Sequence, residues 1–529
     1  MKADLQGIVS ALSHPQVYPE PTNKVTLIQT QMSCVFLTDK HAYKIKKPVN
    51  LGYVDYTTLK QRRYFCEQEI ILNRRLCPDI YLGIEAVTFD GISYAFNGTG
   101  ETVDYAVKMK RLPDDQLLDH LLPQNAVTPE MMYVLADNLA QFHAQAQTND
   151  KIASYGNVTA ITQNTEENFS QTQTYCGRVL PQAQFERIRD YTREFMRDNT
   201  VLLQRRAAEQ RIRDCHGDLH AQHICFCNGI CIFDCIEFND RFRYCDVASE
   251  AAFLAMDLEH SGRTDLSRHF IQQYITYSMD TDIPAILNFY KCYRAYVRGK
   301  VACFKLDDPL LNATDKQCAL ETAQSYFDLA LAYTRKRPIL IVMVGLTGSG
   351  KTTLSAALAG RCGAMHISSD VTRKRLAGIP ETEHHFDEIA TGLYSPDFHR
   401  KTYDAILEQA GEALDGKVSV VLDAAFLKHS ERKKAYELAQ QKGADMLLVE
   451  CHLSAQLTQE RLQQRLSQTT SSDGRWEVYQ KQLEWFEPIS YNQCEYIALD
   501  TSLPLEQNTR QVLNRINYCA PKSVQGIQQ

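Results

Sequence analysis

The chain has 529 residues, of which 44% are apolar and 23% charged, a balance typical of folded globular protein and unlike that of disordered segments. A chain of this length exceeds one ordinary hydrophobic core, so at least two domains are expected. The net charge of −7 disfavours nucleic acid as a partner. The amino terminus lacks the apolar core of a signal peptide, and no apolar run approaches about twenty residues, so we expect a cytoplasmic protein without a membrane span.

The first part of the chain begins with sheet signals and continues mostly as helices. Its predicted elements are strand-like stretches at 25–37 and 42–46, a helix at 57–76, a strand pair at 84–97 and 103–109, helices from residue 127 onward, and a hairpin near 224–234. A small sheet followed by a larger helical part resembles the outline of a bilobal kinase. An α+β bilobal kinase-like domain is therefore predicted.

The last third of the chain alternates strand and helix signals instead. Apolar strand candidates lie at 339–344, 364–368, 418–422, 446–450 and 496–499, with helical stretches such as 430–441 between them. This alternation is typical of an α/β doubly wound sheet of parallel strands. A helix over 313–334 and the basic stretch 335–338 would join the two parts, which gives predicted domains of 1–335 and 336–529.

A Gly-Leu-Thr-Gly-Ser-Gly-Lys-Thr sequence at 345–352 follows the first of these strands and precedes a helix. It matches the P-loop pattern in full, and in that position backbone N–H groups at the helix start can cradle phosphates. We expect Lys351 to meet the β- and γ-phosphates of ATP and the Thr352 hydroxyl to bind Mg²⁺. The predicted phosphate-binding residues are Gly345, Gly348, Ser349, Gly350, Lys351, Thr352 and Thr353. A P-loop NTPase domain is therefore expected.

Polar residues after the later strands complete this predicted site. Asp423 ends an apolar strand, as the second Mg²⁺-binding carboxylate of a P-loop enzyme does. Asp370 and Arg373 lie one helical turn apart. We interpret Asp370 as the base that accepts the proton of a substrate hydroxyl, and Arg373 as a clamp on an anionic group. Arg461 and Arg465, followed by a polar stretch, suit a lid over the phosphates.

A His-Gly-Asp-Leu-His sequence in the first domain resembles the catalytic loop of the aminoglycoside phosphotransferase family. The resemblance implies that Asp218, at its centre, is the catalytic base and that Asp234, further along the chain, is a Mg²⁺ ligand. Lys44 occupies the strand position of that family's phosphate-binding lysine. Its expected helix partner is Glu69, with Glu67 as the alternative. A lysine, metal-binding carboxylates and a base are the groups that phosphoryl transfer requires.

The first domain departs from that family at His223, which stands where the pattern has Asn. Asn228 and Gly229 favour a two-residue hairpin turn, and counting outward from it places His223 across from Asp234. His223 is therefore predicted to point where the second metal ligand belongs. A neutral imidazole suits Mg²⁺ less well than oxygen does, so either this lobe uses metal differently or its activity is weakened.

The seventeen cysteines are expected to be reduced thiols in a cytoplasmic protein. By the same hairpin count, Cys225 and Cys227 share one face with His223, whereas Cys231 and Cys235 share the opposite face. Ligands divided between two faces of a sheet cannot converge on one zinc ion. We therefore interpret these cysteines as small buried apolar residues.

Over nearly all of its length the chain resembles bacterial fusion proteins that join an aminoglycoside-phosphotransferase-like lobe to a P-loop kinase. The segments that carry this resemblance are 43–52, 72–76, 215–220, 233–239 and 368–375. Within it, residues 339–500 resemble the small-molecule and polynucleotide kinase branch of P-loop proteins, in which Asp-x-x-Arg follows the second strand. This second resemblance implies phosphoryl transfer to a hydroxyl.

The sequence thus predicts an ATP- and Mg²⁺-dependent kinase that acts on a hydroxyl of a small molecule and has two nucleotide sites. Two alternatives stay open. In one, the front lobe is a pseudokinase sensor that regulates the P-loop kinase. In the other, the P-loop domain phosphorylates nucleic-acid ends, which basic runs at 373–375 and 432–434 allow and the net charge disfavours. The sequence defines neither the acceptor nor the oligomeric state.

Overall fold

The computed structural model of the protein describes residues 4–227, 229–309, 311–380, 391–465, 475–489 and 494–518. Contacts between residues divide the chain into two compact units. The first comprises Met1–Gln171, Asp190–Asp257 and Leu266–Arg294, and the second comprises Thr172–Arg189, Leu258–Asp265 and Ala295–Gln529. Neither unit is one continuous stretch of the chain, so the domain boundary at residue 335 stays a prediction.

Helices occur throughout the described residues. They are α1 (Leu5–Leu12), α2 (Leu59–Asn73), α3 (Leu118–Leu121), α4 (Pro129–Gln145), α5 (Asp150–Ala153), α6 (Val158–Thr172), α7 (Gln182–Asp198), α8 (Thr200–Ala208), α9 (Asp240–Arg243), α10 (Val247–His260), α11 (Thr264–Ser278), α12 (Ile283–Leu306), α13 (Ala313–Ala332), α14 (Lys351–Cys362), α15 (Ser369–Leu376), α16 (Pro396–Asp415), α17 (His429–Gln441), α18 (Ala455–Arg465), α19 (Trp476–Trp485) and α20 (Leu505–Tyr518). Within this described part of the chain, no helix has both the length and the apolar character that crossing a membrane requires.

The first unit contains a six-stranded antiparallel sheet in the order β1-β2-β3-β6-β4-β5. Its strands are β1 (Thr26–Gln29), β2 (Ser33–Leu37), β3 (His41–Lys46), β4 (Tyr81–Phe89), β5 (Tyr94–Phe96) and β6 (Glu101–Lys110). The predicted stretch 25–37 is two strands rather than one. Thr30 Oγ1 accepts hydrogen bonds from the backbone N–H groups of Met32 and Ser33, at 3.3 and 3.0 Å, and so turns the chain between them.

Two short strand pairs frame the loops that carry the predicted chemistry of the first unit. Strand β7 (Ile212–Asp214) pairs with β10 (Tyr244–Asp246), and β8 (Ile224–Cys225) pairs with β9 (Cys231–Ile232). The His-Gly-Asp sequence lies between β7 and β8, and Asp234 lies between β9 and β10. Both loops are therefore anchored at each end by backbone hydrogen bonds.

The second unit contains a five-stranded sheet in the order β12-β13-β11-β14-β15, with parallel pairing throughout. Its strands are β11 (Ile339–Val344), β12 (Met365–Ser368), β13 (Val420–Asp423), β14 (Asp445–His452) and β15 (Glu495–Asp500). All six residues of β11 are buried, because this central strand has apolar packing on both faces. The carboxyl ends of β11, β12 and β13 meet at one edge, which is where α/β sheets bind ligands.

A buried carboxylate joins three helices of the second unit. Asp328 of α13 lies 2.7 Å from Arg361 of α14 and 2.9 Å from Arg510 of α20. Glu506 contacts the same two arginines at 2.6 and 3.0 Å, but its side chain is 44% exposed. This cluster explains why α13, which was predicted to be a connector, belongs with the P-loop sheet.

Replacing Asp328 with Asn should destabilise the second unit by about 3 kcal/mol, because two largely buried guanidinium groups lose their shared counter-charge. Glu506→Gln is the matched control and should cost less than about 1 kcal/mol, since water screens its pairs. Calorimetric unfolding of both variants measures the difference. Equal effects would show that Asp328 does not hold the three helices together.

Candidate active sites

Two lysines and three carboxylates form a largely buried chain of ion pairs in the first unit, with Asp234 at its more exposed end. Lys44 and Lys46 are two residues apart on β3 and so point to the same face of the sheet. Their ammonium groups lie 2.9 and 2.7 Å from the two carboxylate oxygens of Glu69. Lys44 also contacts Asp234, and Lys46 contacts Glu237. Burial lowers the pKa of Lys44, but the charges of Asp234 and Glu69 outweigh it and hold the pKa well above its ordinary value.

Helix α2 carries two glutamates that could pair with Lys44, and only Glu69 faces the sheet. Glu69 is buried against the sheet, whereas Glu67 pairs with Arg63 at 2.9 Å on an exposed face. Lys46 was missed in the sequence, although only 1% of its surface is exposed. Lys46 lies two residues after Lys44 on the same strand, and this spacing could have indicated that both side chains share one face.

The buried carboxylate of Glu250 on α10 holds the His-Gly-Asp loop. It accepts hydrogen bonds from the backbone N–H groups of His216, at 2.9 and 3.0 Å, and of Gly217, at 2.5 Å. His143 Nε2 lies 2.8 Å from the same carboxylate. Burial raises the pKa of Glu250, but hydrogen bonding and charge from His143 outweigh it and lower the pKa to about 2. The backbone next to Asp218 is therefore held by a carboxylate that is charged at neutral pH.

His223 lies between Asp218 and Asp234. Its Nδ1 is 2.9 Å from the backbone carbonyl oxygen of Asp218, and its Nε2 is 3.6 Å from Oδ2 of Asp234. Burial lowers the pKa of His223 to about 4, so the imidazole is neutral at neutral pH. A neutral ring that donates from Nδ1 to a carbonyl directs the lone pair of Nε2 toward Asp234.

The hairpin reaches this arrangement in a different register from the predicted one. Cys225 is paired with Cys231, so the predicted ladder position of His223 directly across from Asp234 was wrong by one residue. Asp234 instead follows the strand in a left-handed backbone conformation, with φ of 63°, and approaches His223 from the loop. Asn228, part of the predicted turn, lies outside the described residues.

The cysteines of this hairpin also differ from their prediction. Residues paired directly across antiparallel strands share a face, so Cys225 and Cys231 are not on opposite faces. Cys231 forms a disulfide with Cys77, with Cα atoms 4.9 Å apart, so the prediction of reduced thiols is wrong for this pair. The chain segment after α2 passes beside β9 and brings the two together. Cys235 is buried, and burial raises the pKa of its thiol to about 12.

The P-loop of the second unit follows β11 and leads into α14. Gly345, Gly348, Ser349, Gly350, Lys351, Thr352 and Thr353 lie in this loop and in the first turn of the helix. Gly345 and Gly350 have φ of 145° and 82°, and a Cβ at Gly345 would come within 2.7 Å of a backbone oxygen of β14. Lys351 Nζ donates a hydrogen bond to the carbonyl oxygen of Leu346 at 2.7 Å and thus folds back over the loop.

Three further predicted residues stand at the same edge of the sheet. Asp423 ends β13 and is buried. Asp370 lies in the first turn of α15 rather than at a strand end, because β12 stops at Ser368, which caps that helix. Arg373 Nη1 donates to Asp370 at 2.7 Å, and its guanidinium lies 5.0 Å from the centre of the Tyr394 ring.

A cavity of about 280 Å³ is lined by these groups, including Lys351, Thr352, Asp423, Asp370 and Arg373. The P-loop and the predicted base and clamp therefore line one cavity. That space is what a phosphate donor and its acceptor would have to share.

Several cavity residues were missed in the sequence because they come from distant helices. His399 of α16 lies 2.9 Å from Glu431 of α17. Gln482 of α19 accepts a hydrogen bond from the backbone N–H of Thr347 at 2.6 Å, and so contacts the P-loop directly. No short sequence motif indicates either the His399–Glu431 contact or the contact of Gln482 with the P-loop. The proximity of these residues depends on how the helices pack.

The predicted lid is described only in part. Arg461 donates to the carbonyl oxygen of Thr501 at 2.8 Å, and a Cβ at Gly350 would lie 3.3 Å from its Nη1. Arg461 therefore lies against the P-loop backbone. The side chain of Arg465 and nearly all of the following polar stretch lie outside the described residues, whereas Arg475 lines the cavity.

The two sites offer different donors to a divalent ion. The Thr352 hydroxyl and the Asp423 carboxylate are oxygen donors that fit Mg²⁺, which when bound would neutralise charge on the phosphates. In the first unit the corresponding donors are the Asp234 carboxylate and the nitrogen of His223. Because imidazole suits Mg²⁺ poorly, the donor set of the first unit does not fit that ion.

The sequence matches the Phosphotransferase enzyme family over residues 71–285 and the AAA domain family over residues 340–489. The first range contains the His-Gly-Asp loop, and the second contains the cavity beside the P-loop. Fold and sites together define a kinase-like phosphotransferase domain followed by a P-loop kinase domain, which confirms the predicted fold class.

The chain is 31% identical over 452 residues to uncharacterized proteins of Mycobacterium tuberculosis and Mycobacterium bovis. The alignment covers 85% of this chain and 87% of each relative. The chain therefore belongs to the family of these proteins. Among solved structures, a gluconokinase from Sinorhizobium meliloti is 27% identical, with 35% of this chain and 94% of that chain covered and a TM-score of 0.25. An amicoumacin kinase is 13% identical, with 62% and 94% covered and a TM-score of 0.38.

The Glu250 network predicts a specific acid sensitivity. The pKa of Glu250 is below its ordinary 4.5, so its contribution to stability is complete above pH 4.5 and is lost as the pH falls toward 2. Glu250→Gln should cost about 3 kcal/mol at pH 7 and flatten the loss of stability between pH 4.5 and 2. Denaturant unfolding of the first unit within the full chain, followed at several pH values, measures both.

Glu67→Gln is the matched control, because Glu67 forms an exposed pair on the surface of α2. It should change stability by less than about 1 kcal/mol and leave the pH dependence intact. If Glu250→Gln behaved in the same way, Glu250 would not be the residue that holds the His-Gly-Asp loop.

Proposed function

We propose that the protein is an ATP-dependent kinase whose P-loop domain phosphorylates a hydroxyl of a small molecule. The observation that carries this proposal is the cavity that Lys351 and Asp423 share with Asp370 and Arg373. Its volume of about 280 Å³ is close to the lower end of ordinary ligand pockets, which favours a small acceptor over a polymer end.

The geometry supports a role for each of these side chains. Lys351, now bonded to the Leu346 carbonyl, would exchange that oxygen for phosphate oxygens. Asp370 would accept the proton of the acceptor hydroxyl as its oxygen bonds to the γ-phosphorus and the bond to the β,γ-bridging oxygen breaks, which releases ADP. Arg373, held by Asp370 at 2.7 Å, would bind an anionic oxygen of the acceptor or of the transferring group.

We propose a second phosphotransferase site in the first unit. The pairing of Lys44 with Glu69 at 2.9 Å favours it, because this pair orients the lysine of a kinase-like lobe. Asp218 would be the base, on the loop that Glu250 holds. This site is proposed from its protein groups alone, and no step here depends on Mg²⁺.

Variants of the P-loop domain test the main proposal. A metabolite library would be screened for ADP release with the wild-type chain, and the acceptor found would then be used with Lys351→Ala and Asp370→Asn. Lys351→Ala should lower kcat/KM for that acceptor by at least about 100-fold, because it removes charge stabilisation of the phosphates. Asp370→Asn should lower kcat by about 100- to 10,000-fold with little change in KM for ATP, because the proton acceptor is lost whereas the P-loop residues are unchanged.

Asp397→Asn is the matched control. Asp397 and Arg400 repeat the Asp-x-x-Arg spacing at 2.9 Å on a helix of the same unit, but both side chains are exposed. This variant should keep wild-type kinetics. Wild-type kcat in Asp370→Asn would overturn the role of Asp370. Transfer of ³²P to a 5′-hydroxyl oligonucleotide in preference to metabolites would replace the proposal with nucleic-acid end kinase activity.

Asp218→Asn separates the two sites. If the first unit transfers phosphate, Lys351→Ala should retain a fraction of the total ADP release, and adding Asp218→Asn should lower that fraction by at least about 100-fold. Loss of all ADP release in Lys351→Ala alone would instead favour a regulatory first unit. The assay is the same metabolite screen, with the two single variants and the double variant compared in parallel.

A further inference from the structure

We infer that the first unit holds a borderline first-row transition-metal ion, of the Fe²⁺, Co²⁺ and Zn²⁺ class, rather than Mg²⁺. Its protein ligands would be Nε2 of His223 and Oδ2 of Asp234. The proposed function gives this ion a use in phosphoryl transfer, but its binding is a separate property that requires no turnover.

The tautomer of His223 is already the one that a metal ligand requires. Its Nδ1 is 2.9 Å from the carbonyl oxygen of Asp218, an acceptor that can only receive a hydrogen bond. The proton therefore resides on Nδ1, and Nε2 presents its lone pair. A backbone carbonyl on the second nitrogen is the arrangement that orients metal-binding histidines in proteins.

The distance between the two donor atoms matches a shared ion. Nε2 of His223 and Oδ2 of Asp234 are 3.6 Å apart. An ion bonded to both at about 2.1 Å, with an angle near tetrahedral, requires donors about 3.4 Å apart. Lys44 contacts the other oxygen of Asp234, so an ion on Oδ2 and the lysine do not compete for one atom.

The surroundings of this position are rich in nitrogen. His220 Nε2 lies 3.4 Å from Asp218 Oδ2, and the rings of His220 and His223 have centroids 4.1 Å apart. Donor atoms of Asp218, His220 and His223 all lie within 4.8 Å of one another. Mg²⁺ binds to oxygen and keeps several waters, whereas imidazole favours Fe²⁺, Co²⁺ and Zn²⁺. The imidazole of His223 therefore favours an ion of this class over Mg²⁺.

Co²⁺ binding to the full chain tests this inference without ATP. The Asp423→Asn substitution would be present in every protein so that the P-loop site contributes no carboxylate ligand. One Co²⁺ per chain should bind and give visible absorption bands. Zn²⁺ should displace it and remove these bands, whereas Mg²⁺ should do so only at concentrations at least about tenfold higher than Zn²⁺. Proton NMR of this complex in water should show one strongly shifted, exchangeable signal from the Nδ1–H of a Co²⁺-bound imidazole.

His223→Asn restores the oxygen donor of the related family and should remove the shifted signal and weaken Co²⁺ binding by about tenfold or more. His41→Asn is the matched control, because His41 pairs with Glu20 at 2.9 Å elsewhere in the same unit, and it should retain both. The inference is overturned by any of three results with the protein that keeps His223. These are no Co²⁺ binding, no shifted signal, or competition by Mg²⁺ as strong as that by Zn²⁺. Since no readout uses turnover, these outcomes are distinct from failure of the kinase proposal.

Discussion

One chain of ion pairs sets how the sheet, a helix and a loop of the first unit are positioned. It runs from Lys46 through Glu69 and Lys44 to Asp234. It connects strand β3, helix α2 and the loop after β9, and Glu237 extends it beyond Lys46. Removing either lysine would leave largely buried carboxylates without part of their counter-charge, which costs several kcal/mol. The positions of the sheet, the helix and the loop therefore depend on one another.

The two candidate sites are built by different physical means. In the first unit, charged side chains position the backbone: Glu250 binds two N–H groups of the loop before Asp218. In the second unit, the backbone itself forms the site, because glycines such as Gly345 and Gly350 allow the chain to turn at positive φ beside a strand end. The loop of the first unit depends on the charge of the buried Glu250 carboxylate, so acid should loosen it. The loop of the second unit depends on glycines that have no Cβ, so adding a side chain there should disrupt it.

The features that could be predicted from the sequence are those encoded in short segments of the chain. The P-loop and the His-Gly-Asp loop were identified because phosphate chemistry restricts the residue types within a short segment. The hairpin register was missed by one residue, since a turn of a different length shifts every pair and changes which cysteines share a face. The Cys77–Cys231 disulfide joins positions 154 residues apart, and Gln482 reaches the P-loop from a separate helix. Such contacts depend on tertiary packing, which no local pattern encodes.

Both lysines that we propose to bind phosphate contact protein oxygens, so a nucleotide at either proposed site would have to replace an existing partner. Lys351 would give up a neutral carbonyl for a charged phosphate, an exchange that electrostatics favours. Lys44 would have to loosen its hold on Asp234, a partner as highly charged as a phosphate oxygen, so the same exchange gains much less. A cation on the opposite oxygen of Asp234 would neutralise that carboxylate and weaken its attraction for Lys44. If an ion binds beside His223, Asp234 would hold Lys44 less strongly, and the lysine would be better able to contact phosphate.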